Sequence, residues 1–194
     1  QPMGFYAPSQ LVQDARRHGV EVRPIDATTS DWDCTLEPAQ GEAPALRLGL
    51  RLAKGFPETA ARRLVAARAE RAFASAQELA ERAQLNRREL GCLAAAGALA
   101  KVAGHRHRAA WQVAGVEPSF AILPQVRIAE GIPLLRAPRE GEDIVADYAH
   151  TGLTLRRHPV ALLRPKLEAR GLLSAEQLRA MAHGAHVRTA GLVI

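Results

Sequence analysis

The stretch LRLGLRLAKGFPETAARRLVAAR, residues 46–68, contains the feature that decides the fold. Gly55 and Pro57 lie two residues apart between two segments of periodically spaced apolar residues. Glycine tolerates a positive φ angle, and proline suits the first position of a helix because its missing N–H would have no partner there. The stretch therefore predicts a tight turn and then a helix that runs from Pro57 to about Ala69, with Ala61, Leu64 and Val65 on one apolar face.

The turn in this stretch has the features of an anion site. The first amides of the predicted helix have no internal acceptor, and the helix dipole favours a negative ligand there. Gly55 lets a ligand approach the backbone, Lys54 adds a positive charge, and Phe56 is expected to pin the turn to the core. This is the arrangement of a helix-hairpin-helix motif, which holds nucleic-acid phosphates without reading bases. Pro57 replaces the second glycine usual in the motif and removes one donor, and a plain turn between helices is the alternative.

A second unit of the same kind is predicted for LNRRELGCLAAAGALAKVAGHRHRAAW, residues 85–111. Asn86 and Glu89 have the spacing of a capping box at the start of a helix. The turn of this unit falls at 96–99, where Gly97 is a natural helix stop. On that helix Leu90, Leu93 and Ala94 are expected to face inward. Two such units in tandem would bury two half-cores against each other.

Charge is spread unevenly along the chain, whose net charge is +6. Residues 51–110 carry 12 basic and 5 acidic side chains, whereas residues 1–50 and 111–150 each have a net charge of −3. A basic helical centre indicates a surface that faces a polyanion, although ordinary solvated helix faces give the same pattern. The predicted DNA-binding residues are Lys54, Gly55, Phe56, Pro57, Arg62, Arg63, Arg106 and Arg108.

The rest of the sequence completes a prediction of a mostly α chain with one small β-hairpin. The hairpin is formed by the segments 31–37 and 45–50, which flank a turn. The other predicted helices lie at 8–17, from Ser75, from Gly104, at 143–149, at 159–170 and from Ser174. A connecting segment with four prolines is predicted for 115–140, and a strand for 186–194.

Several classes of protein and site are disfavoured. No apolar run approaches the roughly 20 residues of a membrane-spanning helix. Cys34 and Cys92 form neither a disulfide framework nor a metal-binding spacing, so a reducing, cytoplasmic setting fits best. Asp31 and Asp33 form a D-x-D pair that would share one strand face, yet no third acidic residue is placed to join them in a two-metal site. We therefore predict no catalytic residue and no metal ligand in this chain.

Taken together, the ordered segments QPMGFYAPSQLVQDARRHGVEVRP, LRLGLRLAKGF, LNRRELGCLAAAGAL, GHRHRAAW, DYAHTGLTLRRHPVALLR and VRTAGLV carry a resemblance. They resemble the error-prone, damage-inducible branch of the bacterial C-family DNA polymerases, which are paralogues of the DNA polymerase III alpha subunit. The resemblance implies that residues 1–45 end the fingers and that 46–115 form the helix-hairpin-helix region. It also implies a linker and helical segment at 116–185 and the first strand of an OB-fold at 186–194.

The resemblance implies a role for the chain as part of a larger enzyme. A chain that lacks an initiator Met and ends in a strand is expected to be a piece of a longer one. The whole polymerase would use Mg²⁺ held by carboxylates of an upstream palm domain, and this piece would hold duplex DNA. Gln125–Ile128 is a weak candidate for a sliding-clamp peptide. A module that docks translesion accessory proteins, or a helix-hairpin-helix subunit of a repair nuclease, are the alternatives.

Overall fold

The computed structural model describes residues 6–41, 43–116 and 133–191. Within these ranges the chain is mostly helical, as predicted. A 3-10 helix, Leu50–Leu52, precedes the predicted turn that contains Gly55 and Pro57. The α-helices are α1 (Pro8–Arg17), α2 (Glu58–Glu70), α3 (Ala76–Arg82), α4 (Arg87–Ala95), α5 (Ala100–Ala103), α6 (Arg106–Ala114), α7 (Glu140–His150), α8 (Pro159–Glu168) and α9 (Ala175–Arg179). No helix among the described residues has both the length and the apolar character needed to cross a membrane.

Three helix starts follow from side-chain caps that the sequence predicts. Asn86 and Ser174 form complete capping boxes at α4 and α9. Ser75 accepts a hydrogen bond from the Glu78 amide at 3.1 Å, but the Glu78 carboxylate accepts from the amide of Ala74 at 2.8 Å. The box at α3 is therefore only half formed, and the helix still begins where predicted.

A three-stranded sheet lies beside the helices. Its strands are β1 (Val22–Arg23), β2 (Thr35–Glu37) and β3 (Ala45–Arg47), in the order β1-β3-β2. The antiparallel pair β2–β3 is the predicted hairpin. In addition, β1 pairs in parallel with β3, because the amides of Leu46 and Leu48 donate to the carbonyls of Glu21 and Arg23.

The hydrophobic core forms mainly between α2, α3, α4 and α6. Its largest fully buried apolar side chains are Leu50, Leu64, Leu79, Leu90, Leu93 and Leu99. The predicted inward faces of α2 and α4 are confirmed for Ala61, Leu64, Leu90, Leu93 and Ala94. Val65 is the exception, since it is only partly buried and borders a surface cavity.

Two predicted boundaries are wrong. Pro57 has extended backbone angles, φ −82° and ψ 148°, so it caps α2 from outside and the helix begins at Glu58. Residues 186–191 do not form the predicted strand, because their backbone pairing is limited to a single bridge between Leu173 and Thr189. A strand needs a continuous ladder of backbone partners.

The chain divides into two compact units, residues 1–155 and 156–194, and the second contains α8 and α9. The finer domain boundaries implied by the resemblance stay predictions. Most of the predicted connecting segment, including the clamp-peptide candidate Gln125–Ile128, lies outside the described residues.

Charged side chains tie the three strands together. Glu37 on β2 accepts hydrogen bonds from Arg47 on β3 at 2.9 and 3.0 Å and from Arg23 on β1 at 2.7 Å. The bonds from Arg47, followed by the bond from Arg23, lower the pKa of Glu37 from 4.5 to about 2. The ionised form of Glu37 is therefore favoured in the folded chain.

We expect the unfolding free energy of Glu37→Gln to depend less on pH below about 4.5 than that of the wild-type chain. Because the folded pKa of Glu37 is depressed, its contribution is present above pH 4.5 and is lost as the pH falls towards about 2. The difference in unfolding free energy between wild type and variant should therefore shrink over that window in urea titrations. Other carboxylates titrate in both proteins and cancel in the difference, so two parallel profiles would contradict this prediction.

Candidate nucleic-acid interface

The first hairpin is a tight turn fixed by its own backbone. It joins the 3-10 helix Leu50–Leu52 to α2, and the Phe56 amide donates to the Ala53 carbonyl at 3.1 Å. Gly55 has φ +79°, a left-handed conformation that a residue with a Cβ adopts only with strain. Phe56 is 4% exposed and lies in the core, so it pins the turn as predicted.

Beyond the turn, the N-terminus of α2 offers free backbone donors. The amides of Ala60 and Ala61 both donate to the Pro57 carbonyl at 3.1 Å. Within the described part of the chain, the backbone N–H groups of Gly55, Glu58 and Thr59 meet no acceptor. Three unpaired N–H groups beside a helix N-terminus can hold a phosphate oxygen.

The second hairpin joins α4 to α5. Gly97 has φ +75°, and the Ala98 amide donates to the Leu93 carbonyl at 2.9 Å, which closes the end of α4. After α5, Gly104 turns the chain with φ +89°, and His105 Nδ1 accepts from the Arg108 amide at 3.2 Å as the cap of α6. The helix-turn-helix unit predicted for residues 85–111 is thus present, with α4 packed against α6.

Comparison with known proteins agrees with this geometry. A family model described as a helix-hairpin-helix motif matches residues 19–109. Proteins named error-prone DNA polymerase from Methylococcus capsulatus, Alkalilimnicola ehrlichii and Azoarcus sp. are 54%, 57% and 55% identical to the chain over its whole length. The chain is therefore similar to a segment of these error-prone DNA polymerases. It spans about a fifth of their length, 20%, 19% and 19% respectively.

Lys54 caps another helix of this chain. Its Nζ donates to the carbonyls of Tyr148 and Ala149 at 3.2 and 2.9 Å, and its backbone amide donates to the His150 carbonyl at 2.8 Å. These carbonyls belong to the last residues of α7, where no later amide of the helix is available to donate to them. Lys54 therefore joins the first hairpin to the end of α7, although its side chain stays exposed.

Arg63 connects α2 to the start of α4. Its guanidinium donates to both oxygens of Glu89 at 3.1 Å and to the carbonyls of Ala83 and Gln84 at 3.2 and 3.3 Å. The Glu89 side chain is only 10% exposed, and it also completes the capping box of α4. The contacts of Arg63 are therefore internal, and a contact of this residue with DNA stays a prediction.

Arg106 connects α6 to α7. Its side chain is 12% exposed and pairs with Asp143 and with Asp147, the latter at 2.6 Å. It also packs against Gly97, where an added Cβ would lie 3.0 Å from the guanidinium. Together with Lys54, Arg106 holds α7 against both hairpins.

Arg62 differs from Lys54, Arg63 and Arg106, which bind groups on other parts of the fold. Its side chain is 77% exposed and pairs on the surface with Glu58 at 2.6 Å, one helical turn earlier. Exposed pairs of this kind contribute at most about 1 kcal/mol, so a stronger anion can displace the carboxylate. Arg108 is partly buried beside His105 and borders a small cavity with Pro133, Leu134 and Leu135.

The two aspartates of the D-x-D pair bind two different arginines. Asp31 accepts from Arg68 at 2.6 Å, and Asp33 accepts from Arg51 at 2.6 Å. Neither aspartate lies in a strand. No group of three or more His, Cys, Asp or Glu side chains suited to a metal ion occurs in the described ranges.

Sequence reasoning missed the acidic partners of the basic residues. Asp143 and Asp147 lie one turn apart on α7, a spacing that places two carboxylates on one face and could have been noticed. Glu89 was recognised only as part of a capping box. Nothing local in the sequence identifies which arginine, 26 to 41 positions away, these carboxylates meet.

Proposed function

We propose that this chain is a duplex-DNA-binding region of an error-prone DNA polymerase that takes part in translesion synthesis and damage-induced mutagenesis. The whole enzyme would transfer deoxynucleotides to a primer 3′ end in the cytoplasm. This chain would hold the duplex through phosphates and would not itself be catalytic. The Mg²⁺ that the chemistry implies has no proposed ligand here, and accessory translesion proteins are proposed partners of the whole enzyme.

One observation carries the proposal, namely the unpaired N–H groups of Gly55, Glu58 and Thr59 at the start of α2. They lie on an exposed turn inside the region matched by the helix-hairpin-helix model. Arg62 lies one turn further along α2, with its guanidinium in solvent. A phosphate bound to these amides would displace the Glu58 carboxylate and pair with Arg62, and such contacts carry no base information.

We expect duplex binding by the 194-residue chain to be independent of base sequence and to weaken steeply with salt. Neutralised phosphates release counterions, so Arg62→Ala should reduce the slope of log K against log salt by about 0.9, one contact's worth. The measurement is fluorescence anisotropy of a labelled duplex at a series of salt concentrations.

A matched control comes from the other end of α2. Arg71 is 72% exposed and also pairs on the surface with a glutamate, Glu78, so Arg71→Ala removes the same charge far from the hairpin. Its salt slope should equal that of wild type. If Arg62→Ala and Arg71→Ala behave alike, the α2 N-terminus does not meet DNA, and if the chain binds no duplex at all, the interaction-module alternative replaces the proposal.

A further inference from the structure

A small open cavity lies beside the first hairpin and shares Arg62 with the proposed phosphate contacts. It has a volume of about 320 Å³ and is lined by Asp31, Trp32, Ala61, Arg62, Val65 and Ala66. The α2 side of the cavity is apolar and made of short side chains, which leaves room next to the indole ring. This cavity explains why Val65 is only partly buried.

The wall formed by Trp32 is held in place by backbone contacts. The amides of Leu50 and Arg51 donate to the carbonyls of Asp31 and Trp32 at 2.8 and 3.0 Å. Trp32 is partly buried and packs against the core, while it also lines the cavity. A partly buried, amphipathic ring on an anchored backbone is a good platform for stacking.

The rim of the cavity is polar. The Arg68 guanidinium donates to Asp31 Oδ1 at 2.6 Å and to the Ser30 carbonyl at 2.8 Å. The other oxygen of Asp31, Oδ2, has no partner among the described residues. On the other side stands Arg62, whose guanidinium is exposed and displaceable. The cavity thus combines an aromatic wall, a hydrogen-bond acceptor and a cation.

We propose that this cavity, which we call the Trp32 cavity, binds a single unpaired nucleobase next to the duplex. The base would stack on Trp32, Asp31 Oδ2 would accept from its exocyclic amino group, and Arg62 would hold the adjacent phosphate. Aromatic stacking with an arginine on the backbone is the usual chemistry of unpaired-base recognition. This inference rests on the proposed DNA binding. It adds to the duplex an unpaired base, which would lie beside α2 about one turn after the first hairpin.

The test compares duplexes that differ only in one nucleotide. One carries a single extrahelical adenosine, whose amino group suits Asp31, the second carries an abasic nucleotide at the same position, and the third is fully paired. We expect the adenosine duplex to bind about tenfold tighter than the abasic one, within the range of stacking one base on an aromatic ring. In a Trp111→Phe background, where Trp32 is the remaining tryptophan, only the adenosine duplex should quench the fluorescence.

A blocking variant makes the test specific. Ala66 is an exposed α2 residue that lines the cavity, so Ala66→Leu should fill the space and abolish the tenfold preference without harming the fold. Ala69→Leu adds the same side chain at an exposed α2 position outside the cavity and should keep the preference.

Three results would overturn the inference. These are equal affinities for the adenosine and abasic duplexes, a preference that survives Ala66→Leu, and a preference that is lost equally in Ala69→Leu. A cavity that takes an apolar side chain of a partner protein would give the first result. If the paired duplex still binds with a salt dependence, only the Trp32 cavity is refuted, whereas no binding to any duplex refutes the proposed function as well.

Discussion

Arg106→Met is expected to lower the free energy of unfolding by about 3–5 kcal/mol, the usual cost of removing one partner from a buried ion pair. The Arg106 guanidinium lies between two carboxylates, Asp143 and Asp147, that are only 10% and 16% exposed. Methionine fills the space of the arginine stem but leaves both carboxylates without this cation. Urea unfolding followed by circular dichroism measures the loss.

Two further variants identify the cause of that loss. Arg62→Met makes the same chemical change at a side chain that is 77% exposed, and we expect a change below about 1 kcal/mol. Adding Asp143→Asn and Asp147→Asn to Arg106→Met should recover part of the stability, because a neutral amide costs less to bury than a carboxylate that has lost this cation. A loss below about 1 kcal/mol for Arg106→Met, or no recovery in the triple variant, would show that the pairing does not hold α7 in place.

Gly49→Ala is expected to destabilise the chain through direct contact between two backbones. An added Cβ at Gly49 would lie 2.6 Å from the Asp33 carbonyl oxygen and closer still to the Trp32 oxygen. The backbone angles of Gly49, φ −81° and ψ 156°, suit any residue, so the whole penalty is steric. We expect a loss of about 1–3 kcal/mol or more, as for other overpacked sites, measured in the same urea titrations.

The matched control for Gly49→Ala is Gly91→Ala. Gly91 lies inside α4, and apart from adjacent residues and the nearby backbone of that helix no atom would come within 4 Å of its Cβ. Alanine should therefore stabilise the chain there by up to about 1 kcal/mol, the difference in helix propensity. Equal effects of the two substitutions would mean that the approach of Trp32 to Gly49 is not tight in solution.

The sequence by itself determined the features that depend on neighbours in the chain. Asn86, Ser75 and Ser174 mark helix starts because each accepts from an amide three residues later. Gly55 and Gly97 mark turns because both positions need a positive φ. The buried face of α4 follows from helical periodicity alone. These interactions span a few residues, so the order of residue types is sufficient to predict them.

Only the tertiary structure decided what the basic side chains do. Lys54 and Arg62 look alike in sequence, yet Lys54 meets carbonyls 94 and 95 residues away whereas Arg62, among the described residues, pairs with Glu58 one helical turn away. The Trp32 cavity likewise exists because a loop before the hairpin is held against α2. The partners of a long charged side chain depend on which distant carboxylates and carbonyls the fold brings within about 3 Å. The local sequence does not determine those distances, so it cannot predict the partners.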